Sequence, residues 1–241
     1  MKSDAKSTIE TGKAILGIEL GSTRIKAVLI DQENKPIAQG NHTWENQLVD
    51  GLWTYSIEAI WSGLQDCYAD LRSNVKNLYG IEIENLAAIG VSAMMHGYMP
   101  FNAKEEILVP FRTWRNTNTG RAAAALSDLF VYNIPLRWSI SHLYQAILDN
   151  EAHVKDIDFL TTLAGYVHWQ LTGEKVLGIG DASGMLPIDP ATHNYSAEMV
   201  AKFDKLIAPN QYNWTLQDIL PKVLSAGESA GVLTPEGSKK L

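Results

Sequence analysis

Two apolar runs of strand character, Ala14–Leu20 and Ile25–Asp31, are separated only by Gly21-Ser22-Thr23-Arg24. That separation permits little besides an antiparallel hairpin, because a parallel partner needs a crossover of roughly a dozen residues or more. A second turn, Gln32–Pro36, leads into a third strand beginning at Pro36. Three consecutive strands form a meander, and a meander argues against a dinucleotide-binding start, which needs a helix directly after the first glycine turn.

Past the meander, Ile57, Ile60, Trp61, Leu64, Cys67, Tyr68 and Leu71 recur at spacings of three and four and predict a helix over 55–78. Leu86–Met94 reads as a short buried strand. The order β-β-β-α-β points to a layered α/β domain. Further helices are expected over 120–130, 139–151, 158–174 (stopped by Gly173) and 196–207, the last with Ser196 as N-cap. Residues 1–13 are polar and lack an apolar signal core, so they are expected to be a flexible lead-in to a domain spanning 14–241.

The formal net charge of -7 argues against nonspecific nucleic-acid binding. Cys67 is the single cysteine, so no internal disulfide can form, and a reducing cytoplasm is the natural setting. No apolar run approaches the roughly 20 residues that a membrane-spanning helix needs. His142, His153, His168 and His193 have no metal-ligand spacing with one another or with Cys67, and no zinc site is expected.

The turn itself is unusual. Gly21, Ser22, Thr23, Arg24 and Lys26 combine backbone N–H groups, hydroxyls and cations, a set that can cradle phosphate oxygens. Strand alternation puts Arg24 and Lys26 on one face. Glu19, just before the turn, could hold a nucleotide's magnesium directly or through water. By residue type alone the same stretch reads equally as a surface hairpin with a polar tip.

The stretch "GIELGSTRIKAVLID" resembles the phosphate-binding hairpin of the sugar-kinase, actin and heat-shock superfamily. Three further stretches, "IGVSAMMHGYMP", "VPFRTWRNTNT" and "YVHWQLTGEKVLGIGDASGMLPID", resemble in order the motifs of FGGY carbohydrate kinases of the xylulokinase type. The resemblance implies a ribonuclease-H-like fold with a mixed sheet and flanking helices. It implies ATP and Mg²⁺ as cofactors, with Glu19 at the metal and catalytic position and the turn residues on the phosphates. Met95, His96, Trp114 and Asn116 fall at sugar-binding positions. Glu19 and Asn116 each stand where the family usually has Asp, and Met94 stands where it has Gln. Arg115, also unusual, reads either as a solvated surface residue or as a cation near the pocket or its rim that suits an aldonate such as gluconate.

By the same resemblance this is the N-terminal, sugar-binding lobe. The general-base Asp and the adenosine-binding lobe are expected outside this chain, which alone is expected to show no turnover. The implied function is phosphorylation of a ketose such as xylulose, a polyol or an aldonate. The alternative is a non-catalytic sugar-binding or regulatory module. The expected partners are a small sugar and the second lobe, with a homodimer as one admissible assembly. Trp138 reads as core packing and Asp181 as a turn or cap carboxylate.

Overall fold

The computed structural model describes residues 2–241. The elements of the first third are α1 (Lys2–Glu10), β1 (Ile15–Leu20), β2 (Arg24–Ile30), β3 (Pro36–Thr43), β4 (Gln47–Val49), β5 (Leu52–Thr54) and α2 (Ile57–Tyr79). There follow β6 (Ala88–Ala93), β7 (Met99–Phe101), α3 (Gly120–Phe130), α4 (Ser139–Leu148), β8 (Phe159–Thr161) and α5 (Leu163–Thr172). The last part carries β9 (Val176–Gly178), α6 (Ile179–Ala182), β10 (Ile188–Asp189), β11 (Asn194–Tyr195) and α7 (Ala197–Ile207), then α8 (Leu216–Ile219), β12 (Lys222–Leu224) and α9 (Pro235–Ser238).

These elements form two compact units. The first runs up to Asn46 and adds Tyr55–Met94 and Pro235–Leu241; the second is Gln47–Thr54 with Met95–Thr234. The chain therefore passes between units at 46/47, 54/55, 94/95 and 234/235.

In the first unit the meander forms as expected, and β6 joins it parallel to β1, giving the order β3-β2-β1-β6. One face of the sheet carries Leu16, Ile18, Leu20, Ile25, Ala27 and Leu29, all buried. Helix α2 packs over β2 and β3 with a stripe of Ile60, Leu64, Cys67, Leu71 and Val75. Burial of each large aliphatic side chain stabilises by roughly 1.5–3 kcal/mol. The helix starts at Ser56, whose hydroxyl accepts from the Ala59 N–H, and ends at Gly80 in left-handed backbone. Helix and sheet meet closely because β3 carries Gly40: a Cβ there would lie 2.2 Å from the Cys67 carbonyl oxygen and 2.5 Å from the Leu71 nitrogen.

Two expectations are corrected here. The lead-in is not flexible coil through its length, since Lys2–Glu10 is helical with Ala5 and Ile9, one turn apart, both buried. The strand 88–93 is not buried; it lies at the sheet edge, its Ile89, Val91 and Ala93 half-covered and the residues between them exposed.

In the second unit α3, α4 and α7 supply much of one apolar core, with Leu126, Leu143, Phe203 and Leu216 fully enclosed. The predicted helix over 158–174 begins instead as β8, paired antiparallel with β7, and turns helical only after Thr162. The reason is an aromatic cluster: Phe101 of β7 stacks on Tyr166 at 5.4 Å and meets Trp169 edge-on. Gly173 ends α5 and Ser196 caps α7, as expected.

Candidate functional site

The candidate site residues fall into two groups, one in each unit. In the first, register sets Glu19 opposite Lys26 on the exposed face of the sheet, with Lys26 Nζ 3.4 Å from Glu19 Oε2. Both side chains are about half exposed, so this pair contributes little to stability. Thr23 and Arg24 are exposed and Ser22 partly so. The turn closes through Gly21 N–H to the Arg24 carbonyl at 3.0 Å.

Its own carbonyls are held from behind. Trp44 Nε1 donates to the Gly21 oxygen at 2.6 Å, the Tyr55 hydroxyl to the Ser22 oxygen at 2.6 Å, and the Trp44 N–H to the Thr23 oxygen at 3.3 Å. The Trp44 and Tyr55 rings stack at 4.2 Å, and both are buried. Neither residue is distinguished by its sequence context, and the signal in retrospect is two aromatics flanking a short hairpin.

The second group centres on Met95-His96-Gly97. His96 has φ 70 and Gly97 φ 98, an uncommon left-handed pair of the kind that surrounding structure must hold in place. A Cβ on Gly97 would lie 2.7 Å from the Phe111 ring and 2.8 Å from the Arg112 oxygen. Ser139 Oγ donates to the Gly97 oxygen at 2.6 Å. His96 Nδ1 lies 3.3 Å from the Gly184 oxygen, and a Cβ on Gly184 would lie 2.6 Å from that nitrogen. Gly184 belongs to Asp181-Ala182-Ser183-Gly184, so two of the singled-out motifs meet at this contact.

A carbonyl only accepts, so Nδ1 carries the proton and Nε2 keeps its lone pair. Burial pushes the His96 pKa down, opposed by the Gly184 carbonyl and assisted by Arg137. The ring is a neutral acceptor at pH 7.

Met95 is exposed and Trp114 partly buried. The Arg115 guanidinium lies 3.7 Å over the Trp53 ring. Asn116 is different. It is buried; its Oδ1 accepts from the Trp53 N–H at 2.9 Å, and its Nδ2 donates to the Trp53 oxygen at 2.8 Å and the Thr113 oxygen at 3.0 Å. The amide mimics a strand edge and braces β5; both its hydrogens are spent on backbone carbonyls, so only the second lone pair of Oδ1 is left to meet a sugar hydroxyl without releasing a backbone partner. An Asp could not donate these bonds.

Beneath this turn lies a polar cluster that the sequence reading missed. Arg112 binds Glu151 through both terminal nitrogens, and the Tyr98 hydroxyl meets His153 Nε2 at 2.8 Å. His142 is fully enclosed with neither ring nitrogen hydrogen-bonded among the described residues, and burial, assisted by the Arg112 charge, lowers its pKa to about 3. Asp181 accepts from Thr162 Oγ1 at 2.5 Å; burial raises its pKa and this bond opposes the rise. Among the described residues no three His, Cys, Asp or Glu side chains gather as a metal site. No helix among them is long and apolar enough to cross a membrane.

The family model for the "FGGY family of carbohydrate kinases, N-terminal domain" matches residues 14–241. The chain belongs to this family. Xylulose kinase of Escherichia coli is 20% identical over 231 residues, covering 93% of this chain and 45% of its own length. The chain thus spans about half the length of that FGGY relative. Among solved structures, gluconate kinase from Lactobacillus acidophilus superposes with a TM-score of 0.76 at 19% identity, over 94% of this chain and 45% of that one. Plasmodium falciparum glycerol kinase with ADP gives 0.71 at 16% identity, over 95% and 46%. Both share the fold, the ribonuclease-H-like architecture of FGGY kinases.

Proposed function

We propose that this chain is the sugar-binding lobe of an ATP-dependent kinase acting on a ketose, polyol or aldonate in the cytoplasm. The observation that carries the reading is the His96–Gly184 contact, where a left-handed, neutral histidine presents an Nε2 lone pair that no described residue engages, beside the exposed Met95. A sugar hydroxyl would donate to Nε2, and the half-buried Trp114 would offer its ring to a C–H face. Arg115, stacked on Trp53, would favour an acidic sugar. In the other unit Ser22, Thr23, Arg24 and Lys26 would receive the phosphates.

Magnesium supplies charge neutralisation at the transferring phosphoryl group when bound. Glu19 fits that ion as a single carboxylate, since Mg²⁺ keeps several waters and takes its remaining ligands from phosphates. Lys26 would then leave Glu19 for a phosphate oxygen. The general base and the adenosine contacts would come from the second lobe.

Replacing His96 with Ala in the full-length protein should weaken sugar binding by roughly 0.5–3 kcal/mol, the scale of one lost hydrogen bond, and barely move the melting temperature. Calorimetric titration with xylulose, xylitol and gluconate, beside a thermal melt, measures both. A lower melt with unchanged affinity would remove His96 from the site.

The commitment of both Asn116 amide hydrogens to backbone carbonyls favours a second reading, a non-catalytic sugar-binding module. Sugar-stimulated release of ADP by the full-length protein would eliminate it.

A further inference from the structure

We infer that Trp44 and Tyr55 are positioning residues that hold the Gly21–Thr23 turn ready for an anion. The inference rests on the phosphate reading of that turn. In a trans peptide the carbonyl and the following N–H point in opposite directions, and no cis bond occurs among the described residues. The Gly21 oxygen is fixed on the Trp44 indole, so the Ser22 N–H faces away from that ring. The Ser22 oxygen is fixed on the Tyr55 hydroxyl, so the Thr23 N–H faces away from the phenol. Neither N–H has an acceptor among the described residues. Both peptide dipoles are thereby set with their donor ends turned from the aromatic pair, as an anion-binding turn requires.

The brace is well placed to be stiff. Trp44 directly follows β3, and Tyr55 directly precedes the capped start of α2. Their rings are buried and stacked, so neither donor can swing to solvent. A buried indole N–H and a buried phenol each need an acceptor. Here the indole donates to the Gly21 carbonyl and the phenol to the Ser22 carbonyl, so flipping either peptide would break that bond as well as reverse the dipole. A turn left to itself would sample both orientations; this one is fixed before any anion arrives, which is how supporting residues preorganise a site.

The test uses the ¹⁵N-labelled chain titrated with sodium pyrophosphate, followed at the Ser22 and Thr23 amides. The wild type should show saturable shifts there. Tyr55→Phe removes one oxygen and keeps the stacked ring; it should weaken pyrophosphate about two- to tenfold, the worth of one hydrogen bond, without moving the thermal midpoint. Trp44→Phe should act in the same direction. Saturable wild-type shifts with unchanged affinity in both variants would overturn the inference and leave the phosphate reading standing. So would a lowered midpoint with unchanged affinity. No saturable shift in the wild type would overturn both.

Discussion

Lowering the pH from 7 to 4 should cost the protein about 3 kcal/mol of stability through His142 alone, at 1.36 kcal/mol per pKa unit of differential protonation. The side chain is completely enclosed, and its pKa falls from 6.5 to about 3. Below pH 6.5 the unfolded chain takes up a proton that the folded chain refuses. The stabilisation is therefore complete above the unfolded pKa and is lost as pH falls toward the folded one. His96 and His153, also shifted down chiefly by burial, act in the same direction. Asp181, shifted up by burial, opposes them. Urea titrations at pH 7, 5.5 and 4 measure the slope. In His142→Leu most of it should vanish, and stability at pH 7 should hold or rise, because a buried polar group without partners is replaced by an apolar one. An unchanged acid slope in that variant would place the proton uptake elsewhere.

Gly40→Ala should lower stability by about 3 kcal/mol, the upper range for overpacking a filled core. The added methyl would strike backbone atoms of α2, the Cys67 oxygen and the Leu71 nitrogen, and backbone cannot rotate aside as a side chain can. Relief would require the whole helix to lift from β3, exposing the Ile60, Leu64 and Leu71 stripe. For a chain of this size the melting temperature should fall by roughly 6–12 °C. Gly90 on β6 is the control, since a Cβ there meets nothing within 4 Å; Gly90→Ala should stay within about 0.5 kcal/mol of wild type. Equal melts for the two variants would mean that α2 stands farther from the sheet.

The meander and α2 could be read from the sequence because each is decided locally, the meander by Gly21-Ser22-Thr23-Arg24 between two apolar runs and α2 by one stripe between Ser56 and Gly80. What escaped is decided at a distance. Residues 159–161 have helical neighbours, yet β7, some sixty positions earlier, claims them as a strand. Among the described residues of helix α1 only Ala5 and Ile9 are buried, too faint a period to separate from coil. At the candidate site the motif residues could be placed on their turns by resemblance, whereas their tasks could not. Asn116 reads as a polar pocket residue until Trp53 is found on both ends of its amide. The acceptor role of His96 depends on one carbonyl, Gly184, that lies 88 residues away.

The path of the chain between its two units governs how relatives can be recombined. A single breakpoint anywhere in the gene leaves at least one unit with mixed parentage, because residues 47–54 and 235–241 are each separated in sequence from the bulk of their own unit. Transplanting the second unit whole from a relative takes junctions at 46/47, 54/55, 94/95 and 234/235 together. A chimera joined only at 94/95 would carry the donor's Trp114 and Asn116 counterparts against the host's β4–β5 hairpin, and the amide that braces Trp53 would meet a foreign backbone.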